Sequence, residues 1–257
     1  MNKFISIHTN AQIGKNLTID NFSSIHDNVI IGDNCWIGSN VTIYPGARIG
    51  SNCQIFPGAV ISAIPQDLKF KDEDTTTIIG NNVIIRECVT INRGTIYHNK
   101  TTVGDNCFLM AYSHVAHDCI LKNNVIVANG VAIAGHVEID EYAIIGGLSA
   151  IQQFSKIGKF SMISGGSLVR KNVPPYIKVA KEPLRFIGVN KIGLKRNNFS
   201  KKQIESITST FRVIFQEGNN ISKAIELIEK SNEKSNETKE ILKFIKNSKT
   251  GIIKGFY

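Results

Sequence analysis

The feature that most constrains this chain is a period of six residues. Stepping by six from Ile7 to Val169 visits 28 positions, and 25 of them hold Ile, Val or Leu. The exceptions are Asp67, Glu73 and Tyr97. An amphipathic helix repeats every 3.6 residues and a plain strand every two, so neither produces this pattern. The slot two places before each large residue is restricted as well. It holds small residues such as Ala11, Cys35, Ala47, Ser113 and Val173, with Leu17 as the one large member. One large and one small inward position per hexad describe a narrow prism. Gly-Asp-Asn and Gly-Ser-Asn segments at 32–34, 38–40, 50–52 and 104–106 supply its turns. Three hexads make one triangular coil of 18 residues, and successive coils are expected to stack ~4.8 Å apart, as neighbouring strands do.

The pattern resembles the hexapeptide-repeat solenoid, a left-handed parallel β-helix; the handedness comes from that resemblance. The repeat breaks at residues 62–78 and 92–102 and resumes in phase each time. Insertions of this kind are expected to be loops leaving a corner, where function concentrates. Four of the five cysteines (Cys35, Cys53, Cys107, Cys119) fall in the small inward slot. Cys35 and Cys53 lie 18 apart and stack, but packed reduced thiols explain them better than a disulfide does. After Pro174-Pro175 the hexads stop. Ser200 and Gln203 form a capping box before an apolar pattern of helical period (Ile204, Ile207, Phe211, Ile214), and two further helical patterns follow at 221–228 and 241–245. The expected organisation is a mainly β prism over residues 1–184 and a small α-helical domain over 185–257.

Composition narrows the class. With 42% apolar and 20% charged residues the chain can bury a core. No apolar run reaches the roughly 18 residues of a membrane span, and the first residues lack a signal-peptide pattern. An odd number of cysteines without a CxxC pair points to a reduced, cytoplasmic protein. Residues 1–184 carry 15 Lys+Arg and 14 Asp+Glu, while 185–257 carry 15 and 7, so the excess charge sits in the tail. A basic tail calls for an acidic partner. Nucleic acid is not expected, because the tail has no nucleic-acid-binding motif.

The coil length turns sequence into geometry. His117, Gly135 and Gln153 differ by 18 and form one column on three coils; Asp118, His136 and Phe154 form the next. A histidine near neutrality beside a glycine N–H suits acyl transfer, the first as general base and the second as oxyanion donor. Two other readings stay open at this point: ordinary corner residues, and a zinc set of His114, His117 and His136. His8, His26 and His98 read as isolated surface residues.

Specific motifs go further. AYSHVAHDC (111–119), AGHV (134–137), QQF (152–154), NVPPY (172–176), GLKR (193–196), PQDLKF (65–70) and IRECVTINRGT (85–95) together resemble the UDP-N-acetylglucosamine O-acyltransferases, hexapeptide-repeat enzymes that open lipid A biosynthesis. The resemblance spans essentially the whole chain. It implies transfer of a 3-hydroxyacyl chain from acyl carrier protein to the glucosamine 3-position of UDP-N-acetylglucosamine, by a cytoplasmic homotrimer without a cofactor. It implies His117 as general base, Asp118 as its orienting partner and the Gly135 amide as oxyanion donor. Asp67, Lys69, His114, His136 and Gln153 would hold substrate, Asn190 and Arg196 the uridine diphosphate, and Gly165 would stand where the family limits acyl length, leaving room for a long chain. An acidic carrier protein answers the basic tail. Gln152 and Asn197 depart from the family's frequent His and Arg. The remaining alternatives are an acetyl-CoA-dependent relative, a zinc lyase of the carbonic anhydrase type, a non-catalytic scaffold, and a 3-amino in place of a 3-hydroxyl acceptor.

Overall fold

The computed structural model describes residues 4–231 and 235–255. Short strands, mostly of two residues, stack into three flat faces. The first face runs in nine strands from Ser6–Ile7 to Leu168–Val169, the second in eight from Gln12–Ile13 to Lys156–Ile157, and the third in ten. Pairing is parallel throughout the coils and follows the 18-residue step, for example His114 beside Ala132 and Ala132 beside Ala150, except across the two insertions, where partners such as Val60 and Thr90 or Thr90 and His114 lie further apart in sequence. The result is the left-handed parallel β-helix expected from the hexads. Outside the two insertions, the large inward slot is filled from Ile25 to Val169 by side chains that are 0–3% exposed. Each aliphatic side chain so buried contributes on the order of 1.5–3 kcal/mol. Ile7 and Ile13 are 45% and 38% exposed because no coil stacks in front of the first one.

The corners explain why so short a repeat can turn. The fourth position of the hexad adopts the left-handed conformation along the prism, as at Asn16, Asn34, Asn52, Asn106 and Asn124 (φ 56–61°). Asparagine tolerates that region better than most residues. Asp118, His136 and Phe154 occupy the same position at another corner, with φ of 60°, 62° and 62°. The corner between the second and third faces is a ladder of side-chain caps. Asp33 Oδ1 accepts from Lys15 N–H, Ser51 Oγ from Asp33 N–H, and Asp105 Oδ1 from Asn81 N–H.

Both interruptions leave the corner between the first and second faces. One loop spans 64–75, between strands Val60–Ala63 and Thr76–Ile79; the other spans 93–99, between Thr90–Asn92 and Lys100–Val103. They are tied together, since Thr75 Oγ1 donates to Gly94 O at 2.6 Å and Asn92 Nδ2 to Ile64 O at 3.1 Å. The Arg93 guanidinium lies 5.3 Å from the centre of the Phe70 ring.

After the last coil, strand Ile177–Ala180 joins the third face and Arg185–Val189 returns antiparallel to it. The sheet therefore continues past residue 184, where the sequence reading divides the chain. Four helices follow among the described residues: α1 (Lys191–Arg196), α2 (Lys201–Phe215), α3 (Ile221–Lys230) and α4 (Asn236–Lys246). Ser200 and Gln203 make the expected capping box at the start of α2. The apolar face of α2 packs on the returning strand, with Phe211 and Phe215 stacked beside Phe186 at 5.7 and 4.8 Å. No helix among the described residues is long and apolar enough to cross a membrane.

Candidate active site

His117 and Asp118 sit at the corner from which both loops emerge, 5% and 1% exposed. Their side chains meet, with His117 Nδ1 2.8 Å from Asp118 Oδ2. The same carboxylate accepts from Thr95 N–H (3.0 Å), Thr95 Oγ1 (2.7 Å) and His98 N–H (3.1 Å). Burial alone would raise the Asp118 pKa, but these hydrogen bonds hold it at about 2. An ionised carboxylate only accepts, so His117 Nδ1 must carry the proton. The neutral ring then has its lone pair on Nε2, and Nε2 has no hydrogen-bond partner among the described residues.

The column predicted from the 18-residue step is present. His136 N–H donates to His117 O at 3.1 Å, and Phe154 N–H to Gly135 O at 3.3 Å. Gly135 lies directly against the His117 ring: a β-carbon there would stand 2.6 Å from Cε1 and 2.7 Å from Nε2. Only glycine leaves the ring its place. The Gly135 N–H has no acceptor among the described residues. Gln153 follows on the next coil, exposed.

His136 stacks flat on Phe154 (4.3 Å between centres, 4°) and meets Tyr97 edge-on at 4.6 Å. Its Nδ1 is buried without a hydrogen-bond partner, 3.9 Å from Asp118 Oδ2. Burial lowers its pKa, with Asp118 opposing and His117 and His98 adding to the fall. Asp67 in the first loop also acts on this ring, while its Oδ1 accepts the Lys69 N–H at 3.0 Å. The Lys69 side chain is exposed. His114 lies on the first face, with Nδ1 2.7 Å from Thr90 Oγ1. Its pKa is lowered by burial and then by His117.

Three of the expected residues lie elsewhere on this chain. The Asn190 carboxamide accepts from Gly193 N–H at the start of α1 and donates to Phe160 O at 2.9 Å, next to the corner between the second and third faces. Arg196 ends α1 and is exposed. Gly165 turns the corner between the third and first faces, its β-carbon position 3.1 Å from Gly147 O.

The sequence reading missed the second loop's part in this site. His98 is not isolated: its main chain holds Asp118, and its ring lies 6.4 Å from that of His136. Subtracting 18 from 117 gives 99, which places this loop over the same corner one coil earlier; that arithmetic was the available signal.

A metal does not suit the cluster. His117, Asp118 and His136 each bring one ligand atom within 4.8 Å of the others, whereas His114 is not among them. The Asp118 oxygens, however, already accept four hydrogen bonds, and His117 meets them with a protonated nitrogen. A cation would have to displace that arrangement.

Comparison with known proteins agrees with this geometry. The family model described as Udp N-acetylglucosamine O-acyltransferase, Domain 2, matches residues 172–253. The bacterial transferase hexapeptide model matches 10–43, 28–63 and 100–135. The acyl-[acyl-carrier-protein]–UDP-N-acetylglucosamine O-acyltransferase of Aquifex aeolicus is 52% identical over 198 residues, covering 77% of this chain and 76% of its own. The crystal structure of a UDP-N-acetylglucosamine acyltransferase from Bacteroides fragilis superposes with a TM-score of 0.96 at 46% identity, over 99% of this chain and 100% of that one. The Francisella novicida UDP-N-acetylglucosamine acyltransferase gives 0.95 at 35% identity, over 99% and 94%. Identity above one half, sustained over three quarters of both sequences and joined to a shared fold from end to end, establishes that the chain belongs to the acyl-[acyl-carrier-protein]–UDP-N-acetylglucosamine O-acyltransferase family.

Proposed function

We propose that the chain transfers a 3-hydroxyacyl group from acyl carrier protein to the 3-hydroxyl of UDP-N-acetylglucosamine, the first step of lipid A biosynthesis, in the cytoplasm. The observation that carries this reading is the His117–Asp118 pair with a free Nε2 beside the uncapped Gly135 N–H. His117 Nε2 takes the proton of the sugar hydroxyl as its oxygen attacks the thioester carbonyl. The Gly135 N–H receives the charge that develops on the carbonyl oxygen. The tetrahedral intermediate collapses, the C–S bond breaks, and the carrier thiolate leaves with the proton held by His117. Asp118 fixes the tautomer throughout. Asp67, Lys69, His114, His136 and Gln153 line the approach and hold the sugar nucleotide and acyl chain. No cofactor enters the balance.

A homotrimer supports this chemistry better than a single chain. The groove beside His136, Phe154 and Tyr97 encloses about 290 Å³, at the low end of ligand sites, which are ~300–1,000 Å³. Gly165 turns one of the other two corners, Asn190 is tied to Phe160 beside the second, and Arg196 follows at the end of α1; an adjacent copy brings them to His117. In that arrangement Arg196 contacts the diphosphate and Gly165 bounds the acyl chain. The deciding experiment is mass spectrometry of products from a ladder of 3-hydroxyacyl carrier-protein thioesters with UDP-N-acetylglucosamine, with acyl-CoA and a 3-amino sugar nucleotide as parallel arms. His117→Ala should lower turnover by roughly 10²–10⁴, the range of a lost general base. Near-normal turnover removes His117 from the mechanism.

A further inference from the structure

The loop over residues 93–99 does more than cover the corner. Its Thr95 is 7% exposed and supplies two of the four hydrogen bonds that Asp118 receives. The Thr95 main-chain N–H goes to Oδ1 at 3.0 Å, and its hydroxyl goes to Oδ2 at 2.7 Å. Oδ2 is the oxygen that His117 Nδ1 meets at 2.8 Å. The hydroxyl is itself held, since Tyr97 N–H donates to it at 3.2 Å. The loop is closed beneath it by Asn99 N–H on Thr95 O at 2.8 Å. From the other side Asp118 N–H donates to Thr101 Oγ1 at 2.8 Å. The carboxylate is thus gripped on both oxygens by a segment remote from it in sequence.

We infer that Thr95 is a positioning residue for acyl transfer: its hydroxyl fixes Asp118 Oδ2 so that His117 keeps its proton on Nδ1 and presents Nε2 to the acceptor. The inference rests on the reading of His117 as general base. The physical reason is burial. A carboxylate 1% exposed stays ionised only while donors replace its lost water. If it were protonated it could donate to His117, and the ring would take the other tautomer with no lone pair on Nε2. Thr95 also shares Oδ2 with His117 and so tempers the pull of that oxygen on an imidazolium proton.

The test is the series Thr95→Val, Thr95→Ser and His117→Ala in the full-length protein, with carrier-protein thioester and UDP-N-acetylglucosamine. Thr95→Val keeps the shape and the main-chain donor but removes the hydroxyl. It should lower kcat by roughly 10- to 100-fold, as losing an orienting partner of a reactive group does. The KM for the sugar nucleotide should change little. The acid limb of the kcat/KM profile should move to higher pH, because an oxygen with one donor fewer holds the imidazolium proton harder. His114, His136, His98 and Asp67, the other titratable groups facing the pair, are the same in both proteins, so the difference isolates Thr95. Thr95→Ser should restore kcat to within roughly threefold of wild type and restore the profile. Serine that fails to rescue, or valine that raises KM with kcat intact, overturns the role of the hydroxyl. Wild-type behaviour of Thr95→Val beside an inactive His117→Ala sinks this inference alone; an active His117→Ala sinks the reading beneath it. Should Thr95→Val fold poorly, the serine variant's pH profile and thermal melt still decide, since a displaced acid limb in a well-folded serine protein contradicts the rescue.

Discussion

Gly135→Ala tests the geometry most sharply, because one methyl group acts on one ring. Gly135 is not among the residues of positive φ, so alanine meets no backbone strain and every effect must come from the new atom. That β-carbon would stand 2.6 Å from His117 Cε1, 2.7 Å from Nε2 and 3.2 Å from Nδ1. Carbon atoms in contact prefer ~3.5–4.0 Å, so the ring must retreat by roughly 0.8–1 Å. It cannot do so freely, because Nδ1 is bonded to Asp118 at 2.8 Å and that carboxylate is held by Thr95 and His98. A displacement near 1 Å of a reacting group lowers rate by about 10²-fold. Overpacking of this size also costs about 1–3 kcal/mol, read as a fall of a few degrees in Tm for a chain this long. Steady-state transfer followed by product mass spectrometry gives kcat, and a thermal melt gives the second quantity. Turnover within roughly threefold of wild type, in a protein carrying alanine there, would refute the claim that the Gly135 backbone and the His117 ring share one tightly filled position.

Other expectations follow from the same contacts. The Asp118 pKa falls from 3.8 to about 2 on folding, which is worth about 2 kcal/mol to the folded state. Because the folded value is the lower one, this stability is present above pH ~4 and lost as pH falls through about 2; urea unfolding from pH 5 to pH 2 should show it, with a flatter dependence in Asp118→Asn. Cys35, Cys53, Cys107 and Cys119 are 0–2% exposed while Cys88 is only half-buried, and burial pushes the Cys107 and Cys119 thiols up to about 11 and 12. A thiol reagent should therefore label Cys88 in the native protein and the other four only after denaturation. Arg196→Ala should raise the KM for UDP-N-acetylglucosamine more than it lowers kcat, since a diphosphate is bound alike in ground and transition states; a pure kcat effect contradicts that role.

What the sequence makes legible is whatever the prism forces on every coil. Ile25, Ile31 and Ile37 announce themselves because the bore has one width, and a polar residue in that slot has no solvent to face. The same regularity yields the column of His117, Gly135 and Gln153 by arithmetic alone. Thr95 escapes it, because a loop residue obeys no period and its reach to Asp118 depends on how 93–99 folds back over the corner. Asn190 is deceptive in the opposite way: its carboxamide is engaged as a helix cap and a strap to Phe160, a local role that a motif match does not reveal. The two interruptions nevertheless follow a rule. From Ile61 to Ile79 is 18 residues and from Ile91 to Val103 is 12, against 6 for an uninterrupted step, so the insertions add 12 and 6. Both are whole hexads, and both follow a first-face strand. An insertion of any other length is free to exist as a loop, so the coils impose no such number. Each insertion adds a whole number of hexads at the corner between the first and second faces. That corner is where His117 and Asp118 sit, and the material added there is what holds the carboxylate ionised in a place from which water has been removed.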